Sequence, residues 1–212
     1  MEARFWHQRW EKNEIAFHEG RPNPLLVRHF GALSLDKGSR VFLPLCGKTR
    51  DIGWLLANGH RVAGAELSRI AIEQLFAELG LQPRITATGA IERFSAQDID
   101  IFVGDFFALS RQMLGAVDAI YDRAALVALP EDMRRRYVRH LMEITDTAPQ
   151  MVICFAYDQR LVDGPPFSVD DDEMRRHYAD IYELRALERV DVPGGLKGKY
   201  PAVETAWLLT KG

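Results

Sequence analysis

The chain has 212 residues and a net charge of -3; 47% of its residues are apolar and 27% are charged, as in an ordinary globular protein. This balance gives no electrostatic basis for binding nucleic acid, and no apolar run approaches the roughly 18 residues that cross a bilayer. Two cysteines do not make a disulfide framework or a metal cluster, so we expect a cytoplasmic protein with reduced thiols and no metal site. We also expect the protein to be a monomer.

The first part of the chain differs in pattern from the rest. An aromatic segment from Phe5 to Asn13 has the character of a helix, and a second helical stretch starts near Pro24. Neither belongs to the strand and helix alternation that begins at Ser39. We therefore expect a single domain, 1–212, in which residues 1–38 form a helical cap on an α/β core of residues 39–212.

From Ser39 onward, apolar strand-like runs alternate with helix-length segments. The strand-like runs are residues 40–45, 61–67, 99–105, 117–122 and 150–157. Ser68 is a suitable N-cap for the helix that follows the second run. A further helix is predicted from about Pro130 to Thr145; its apolar stripe leads us to expect that Arg134 and the two arginines after it are mainly solvent exposed.

The end of the chain departs from this alternation. Residues 181–192 and 203–211 are two strand-like runs with no helix between them, which predicts an antiparallel pair. The fold class is therefore α/β: a doubly wound, mostly parallel sheet of seven-stranded type, with a carboxyl-terminal antiparallel strand pair and an amino-terminal helical cap.

The first strand-like run leads into a loop that ends Gly47-Lys48-Thr49, the end of a triphosphate-binding motif. That motif, GxxxxGK[ST], requires glycine at the position held by Phe42, inside the strand. Gly47 is also the one glycine between Ser39 and Ile52, so the dinucleotide motif GxGxxG is missing too. Without close-approach glycines, we expect this loop to face a ligand less bulky and less anionic than a pyrophosphate.

Acidic residues follow the next two strand-like runs. Glu66 ends the second run, about 20 residues after the loop, where doubly wound folds place a carboxylate on ribose hydroxyls. Asp105 ends the third, where it could meet an adenine amino group. Each residue could instead cap the helix after it. A ribose acid without pyrophosphate glycines indicates a nucleoside that carries no phosphate, and S-adenosylmethionine fits this description.

Five segments run in order along nearly the whole chain: FWHQRWEKNEIAFH (5–18), VFLPLCGKTRDIGWLLANGHRVAGAELS (41–68), DAIYDRAALVAL (118–129), GPPFSV (164–169) and LERVDV…ETAWLLTK. In these segments the sequence resembles the thiopurine S-methyltransferase family in its shorter, bacterial-like form. The resemblance implies S-adenosylmethionine-dependent transfer of a methyl group to the sulfur of aromatic and heterocyclic thiols, thiopurines included.

The resemblance also assigns site residues. It places Trp10, Leu45, Glu66 and Arg123 on the cofactor and Phe17 on the substrate side. Trp10 suits the first role because an indole ring attracts a positively charged sulfonium, although it could simply belong to an aromatic helix stripe.

Arg123 lies at a strand end where such sheets bind ligands, which favours a site role, although it could instead form a salt bridge with Asp122 or with an acidic helix. We expect it to favour the thiolate form of the acceptor as well as to touch the cofactor, and we therefore place it on the substrate too. No catalytic base is assigned; Asp122 and Asp158 are simply titratable groups in suitable positions.

One segment departs from the resemblance, and two other functions stay open. Some relatives carry a longer, arginine-bearing loop near residues 190–200 that helps to hold substrate, where this chain offers Lys197 and Lys199. The same cofactor could serve selenium or tellurium acceptors, whose soft nucleophiles suit such a pocket. A non-catalytic nucleoside-binding domain is the third alternative.

Overall fold

The computed structural model describes residues 3–15 and 19–212. One sheet of nine strands forms its centre. The strands are β1 (Arg40–Leu43), β2 (Arg61–Glu66), β3 (Arg84–Thr88), β4 (Ile91–Ala96), β5 (Ile99–Val103), β6 (Ala119–Arg123), β7 (Gln150–Tyr157), β8 (Glu183–Asp191) and β9 (Ala202–Thr210).

Helices connect most of the strands. They are α1 (Ala3–Glu11), α2 (Pro24–His29), α3 (Arg50–Ala57), α4 (Arg69–Leu79), α5 (Arg111–Leu114), α6 (Glu131–Thr145) and α7 (Asp171–Tyr178). Asn23, Thr49 and Ser68 each precede a helix, and their side-chain oxygens accept first-turn N–H groups, so short polar residues set where α2, α3 and α4 begin. None of the helices in the described part of the chain has the length and apolar character that a membrane crossing requires.

The strand order in the sheet is β3-β4-β5-β2-β1-β6-β7-β9-β8. The central strands β5, β2, β1, β6 and β7 run parallel. At the far side, β8 and β9 form an antiparallel pair, as the sequence predicted, and β9 also pairs antiparallel with β7. The chain adds β2 on one side of β1 and later returns to add β6 on the other side. The order in which strands are added therefore reverses direction between β1 and β6.

Apolar residues cover both faces of the sheet. On one face, α2, α3 and α4 bury side chains such as Leu25, Ile52 and Phe76. On the other, α6 and α7 bury Tyr137 and Met174. A parallel sheet covered on both faces by helices requires such nearly continuous apolar strands, and β1 is buried at every position.

The hairpin formed by β3 and β4 was not predicted. Its two strands pair antiparallel with each other, and β4 also pairs antiparallel with β5. The hairpin therefore extends the predicted seven-stranded arrangement to nine strands. All five residues of β3 are exposed at the edge of the sheet, so this strand lacks the buried apolar run that marks the central strands, although Ile85 and Ala87 alternate with polar residues. The whole sheet is consequently mixed, with its parallel strands in the middle.

The expectation of a solvated Arg134 was wrong. Its side chain is buried, and its guanidinium binds Glu173 of α7 through Nε at 2.6 Å and Nη2 at 3.1 Å. Arg134 precedes Tyr137 by three residues and Leu141 by seven, which places it on the buried stripe of α6. The two arginines that follow it are exposed, as expected.

Candidate functional site

The candidate site lies at the carboxyl ends of β1, β2 and β6, where the strand order reverses. In open α/β sheets this crevice is the usual ligand position, because loops on either side of the reversal leave a gap. Leu45 follows β1, Glu66 ends β2 and Arg123 ends β6. The sheet therefore brings these three predicted residues to one edge.

The loop after β1 has an unusual backbone. Leu45 and Gly47 both have positive φ, 47° and 52°. A leucine in this left-handed region costs roughly 1–3 kcal/mol, and such strain is concentrated at functional sites. The turn directs the Cys46 N–H to the Ala65 carbonyl at 2.9 Å and the Gly47 N–H to Glu66 Oε2 at 2.8 Å. The loop is thus fastened to the end of β2.

The same loop is no phosphate cradle. Phe42, which stands where the triphosphate-binding motif requires glycine, is fully buried inside β1, the strand in which the sequence placed it. Lys48, which would face a phosphate in such a loop, instead binds Glu78 of α4 at 2.7 Å. Cys46 is buried, and burial first, then the Glu66 charge, raises the pKa of its thiol, so it does not supply a reactive thiolate.

Glu66 is a buried carboxylate between the two loops. Its Oε2 accepts the Gly47 N–H and its Oε1 accepts the Ser68 N–H, each at 2.8 Å. Burial raises the pKa of Glu66, while these backbone donors work in the opposite direction. Ser68, and not Glu66, caps α4. A carboxylate has about four acceptor positions, so Glu66 can still accept hydrogen bonds from a diol.

Trp10 places the cap against this loop. Its side chain is only 4% exposed, and its six-membered ring packs on Gly47. A β-carbon at position 47 would lie 3.2 Å from Trp10 Cζ2, so the contact depends on the missing side chain. Trp10 is on α1, more than thirty residues from the loop in sequence, and the structure brings the two together.

Arg123 lies nearly buried at the end of β6. Its Nη2 contacts Glu19 Oε1 at 2.5 Å, and 10% of the Arg123 side chain is exposed against 44% for Glu19. Burial alone would lower the pKa of Arg123, but the acidic groups around it, Tyr121, Glu19 and Asp51 among them, raise it. The salt bridge is therefore made with the cap and not with Asp122, the partner that the sequence suggested.

A buried carboxylate fixes the cap beside Arg123. Asp51, at the start of α3, accepts the Asn23 N–H at 2.7 Å and the Tyr121 hydroxyl at 3.0 Å. The Asn23 side chain in turn donates to Glu204 Oε1 of β9 at 3.4 Å. These contacts hold the start of α2 to the sheet, a few residues from Glu19.

A cleft of about 690 Å³ opens between this part of the cap and the β8–β9 pair. We call it the cap cleft and define it by Glu19, Asn23, Arg28, Phe155, Pro193 and Glu204. Its walls mix apolar and charged groups. Arg123 adjoins it, because the partner of Arg123, Glu19, lines it.

Other predicted residues are placed differently. Phe17 lies outside the described residues. Asp105 is exposed and caps a short 3-10 helix by accepting the Phe107 N–H at 3.0 Å. Asp158 is likewise exposed, and hydrogen bonds from Arg160 lower its pKa to about 2. Lys197 and Lys199 are exposed as well and do not line the cap cleft.

Asp122 is buried on the face of the sheet covered by α6. It accepts the Tyr137 hydroxyl at 2.6 Å and the Leu126 N–H at 3.1 Å. Burial raises its pKa to about 6, and the hydrogen bonds oppose this shift. Asp122 therefore supports the turn that follows Arg123 instead of facing the cleft.

Three acidic residues beside Arg123 were missed by the sequence analysis: Glu19, Asp51 and Glu204. Their relationship arises from the fold, since Glu19 and Arg123 are 104 positions apart and Asn23 and Glu204 are 181 apart. No local pattern connects such positions.

The residues at this edge fit S-adenosylmethionine. Glu66 offers carboxylate acceptors to ribose hydroxyls, Trp10 offers an aromatic ring next to the loop, and Arg123 offers a cation to the carboxylate of the amino-acid part. No cluster of metal-ligating side chains was found in the described ranges. The arrangement can therefore bind a nucleoside with a charged side arm and a second small molecule in the adjoining cleft.

Comparison with known proteins identifies relatives across the whole chain. The family model described as Thiopurine S-methyltransferase (TPMT) matches residues 1–206. A protein named thiopurine S-methyltransferase from Xanthobacter autotrophicus is 59% identical over 212 residues, covering 100% of both chains. One of the same name from Teredinibacter turnerae is 49% identical over 211 residues, covering 100% of this chain and 98% of its own.

Solved structures with the same fold are more distant in sequence. The 1,6-didemethyltoxoflavin-N1-methyltransferase of Burkholderia thailandensis, solved with S-adenosylhomocysteine, has a TM-score of 0.66 at 14% identity, over 99% of this chain and 87% of its own. The magnesium protoporphyrin IX methyltransferase of Synechocystis has a TM-score of 0.65 at 13% identity, over 98% and 99%. At these identities the likeness concerns the fold.

Proposed function

The chain belongs to the thiopurine S-methyltransferase family and is an S-adenosylmethionine-dependent methyltransferase, and from this premise we propose how its site is divided between cofactor and acceptor. Trp10, Leu45 and Glu66 hold the cofactor at the ends of β1 and β2. Arg123 adjoins both the cofactor and the cap cleft, which receives the acceptor. Phe17 precedes Glu19 by two residues in the chain, and its contact with the acceptor stays a prediction.

The reaction transfers a methyl group to the sulfur of an aromatic or heterocyclic thiol such as a thiopurine. Bound S-adenosylmethionine supplies a methyl group that its sulfonium already activates. The protein has to align the acceptor sulfur with that methyl and keep water out. Glu66 fixes the ribose end, and the buried Trp10 covers the loop and presents an aromatic ring toward the positive charge.

The observation that carries the proposal is the position of Arg123. It is a nearly buried cation at the junction of the cofactor edge and the cap cleft, and its described ion-pair partner is the half-exposed Glu19. A cation in so little water stabilises a nearby anion more than a solvated one would. Arg123 thus favours the thiolate form of an acceptor whose sulfur lies beside it.

The proposal also takes the chain to act as a cytoplasmic monomer with one domain. The continuous sheet of residues 40–210 supports a single domain with the cap packed on it. Cys46 and Cys154 are both free thiols, as is usual in a reducing compartment.

The test compares Arg123→Ala and Arg123→Lys with the wild type at saturating S-adenosylmethionine. The measured quantity is kcat/KM for aromatic thiols of graded acidity across pH. We expect Arg123→Ala to lose about 10- to 100-fold with weakly acidic thiols, because a charged hydrogen bond is lost, and less with strongly acidic ones. Raising the pH should partly restore the weak acids. Arg123→Lys keeps the charge without the planar fork and should fall between.

Arg160→Ala is the matched control, since Arg160 is 89% exposed and pairs with Asp158 outside the cleft. It should behave like the wild type with every thiol. A uniform loss in Arg123→Ala, with no recovery at high pH, would limit Arg123 to positioning the cofactor.

A further inference from the structure

The cap cleft contains a carboxylate that the mechanism above does not use. Glu204 lines the cleft from β9, opposite Phe155 of β7, which lines it too. Its backbone is held between β7 and β8 on either side. The sheet therefore fixes the position of Glu204, whereas Glu19 is positioned by the cap.

The other carboxylates near Arg123 are already committed. Asp51 accepts hydrogen bonds from Asn23 and Tyr121, and Glu19 binds Arg123 directly. Glu204 accepts one long hydrogen bond within the described part of the chain, from the Asn23 amide at 3.4 Å. Most of its acceptor capacity thus faces the cleft.

The charges around Glu204 suit it to hold a proton. Burial raises its pKa; Arg123 lowers it, the charge of Glu19 raises it again, the Asn23 amide lowers it and Asp51 raises it, and the net shift is upward. The remaining charged groups at the cleft are Arg21, Arg28 and Asp191, on the cap and on β8. A carboxylate with a raised pKa is a better base near neutrality than one in water.

We propose that Glu204 is the catalytic base, taking the proton from the thiol acceptor in the cap cleft beside Arg123. This rests on the proposed function. The S–H bond of the acceptor breaks, an O–H bond forms on Glu204, and the electron pair stays on sulfur as the thiolate that accepts the methyl group. Glu204 then releases its proton to water.

The proton transfer leaves the net charge of the cleft unchanged, and the neighbouring Arg123 lies near the negative charge in both states. Before it, the negative charge is on Glu204; after it, the charge is on the acceptor sulfur, and Arg123 adjoins both. No charge enters or leaves the cleft, so the cost of separating charge in a poorly solvated space is avoided. Acceptors too weakly acidic to ionise in water become usable in this way.

The test has an equilibrium part that needs no turnover. With S-adenosylhomocysteine bound, 4-methoxythiophenol is added to the wild type and to Glu204→Gln, and thiolate absorbance is followed against pH. In the wild type, we expect a thiolate fraction that changes little with pH below the pKa of the thiol in water, because the proton stays on Glu204. In Glu204→Gln that plateau should vanish, and the fraction should follow a single titration with bulk pH.

The kinetic part uses the same proteins with S-adenosylmethionine. Glu204→Gln should lower kcat/KM for 4-methoxythiophenol by about 100-fold at pH 5, where this thiol is mostly protonated in water, and change that for 4-nitrothiophenol, already largely ionised, only a few-fold. Glu204→Asp keeps a carboxylate and should retain the plateau. Glu183→Gln makes the same charge change at the far end of β8 and should match the wild type.

Glu19→Gln separates the two acids of the cleft. If Glu204 is the base, Glu19→Gln keeps the plateau, whereas a plateau lost in Glu19→Gln and kept in Glu204→Gln would overturn the proposal. Equal losses for both thiols in Glu204→Gln would overturn it as well. A wild type that methylates no thiol, or fails to bind S-adenosylhomocysteine, would instead refute the function on which the proposal rests.

Discussion

The indole of Trp10 closes on Gly47: a β-carbon there would stand 3.2 Å from Cζ2 and 3.6 Å from Cη2 of the ring. The contact joins α1 of the cap to the loop after β1, and in that loop the Gly47 N–H donates a hydrogen bond to Glu66. The cap is therefore already docked on the cofactor loop in this structure.

Gly47→Ala should undock the cap. The new methyl group crowds Trp10. In addition, alanine would have to adopt the positive φ of Gly47, which costs about 1–2 kcal/mol. Gly38→Ala is the matched control, because Gly38 also has a positive φ but nothing lies within 4 Å of its added β-carbon. We expect faster tryptic cleavage after Arg9 or Lys12, and weaker binding of S-adenosylhomocysteine by calorimetry, in Gly47→Ala alone. Equal cleavage rates in the two variants would mean that the contact between Trp10 and Gly47 does not hold the cap in place.

Glu66→Gln should weaken binding of S-adenosylmethionine and of its product. The amide has one acceptor oxygen instead of a carboxylate, and it places an N–H group against a backbone N–H. A charged hydrogen bond contributes roughly 1.5–3 kcal/mol, so calorimetry should give a Kd about 10- to 100-fold higher. Glu73→Gln, an exposed change on α4, is the control. Unchanged affinity in folded Glu66→Gln would remove Glu66 from the ribose.

Asp122→Asn should alter how stability depends on pH. The pKa of Asp122 is about 6 in the folded protein and about 4 when unfolded, so the folded state holds the extra proton between these values. Its stabilising contribution is therefore complete below pH 4 and is lost as pH rises to about 6, an amount of about 3 kcal/mol.

Asparagine is nearly the same shape and can still bond to Tyr137 and Leu126, yet it does not titrate in this range. Urea unfolding of both proteins from pH 4 to 7 isolates this group, since every other titration is shared. The free energy of unfolding of Asp122→Asn should gain on that of the wild type as pH rises. Parallel curves would mean that Asp122 ionises normally.

Glu173→Gln should destabilise the protein by about 3–5 kcal/mol, because it leaves the buried Arg134 without its countercharge. Replacing both residues, as Arg134→Met with Glu173→Leu, removes the charge and the carboxylate together and should cost much less. Denaturant unfolding measures both. A single change that costs no more than the double one would show that the pair is solvated.

The sequence was sufficient for features with a local signal. The apolar strands β1, β2, β5, β6 and β7 were predicted because burial on both faces requires unbroken apolar runs. The position of Glu66 at the end of β2 followed from its place at the end of the second run. The pair of β3 and β4 was missed because β3 is an exposed edge strand without a continuous apolar run, which was the signal that identified the central strands.

Contacts between distant segments could not be predicted from local patterns. Glu204 looked like any polar residue of an outer strand, and only the pairing of β9 with β7 brings it toward Arg123. The charge of Arg134 suggested solvent, although its position on the α6 stripe placed it inside, where Glu173 meets it.

The order of strands has a consequence for synthesis on the ribosome. β9 follows β8 in the chain but lies between β7 and β8 in the sheet. While the polypeptide emerges, β8 therefore has no neighbour to pair with until residues 202–210 have left the exit tunnel. Glu204 arrives in that same final insertion, so a nascent chain lacking β9 has neither a closed sheet nor a complete cap cleft.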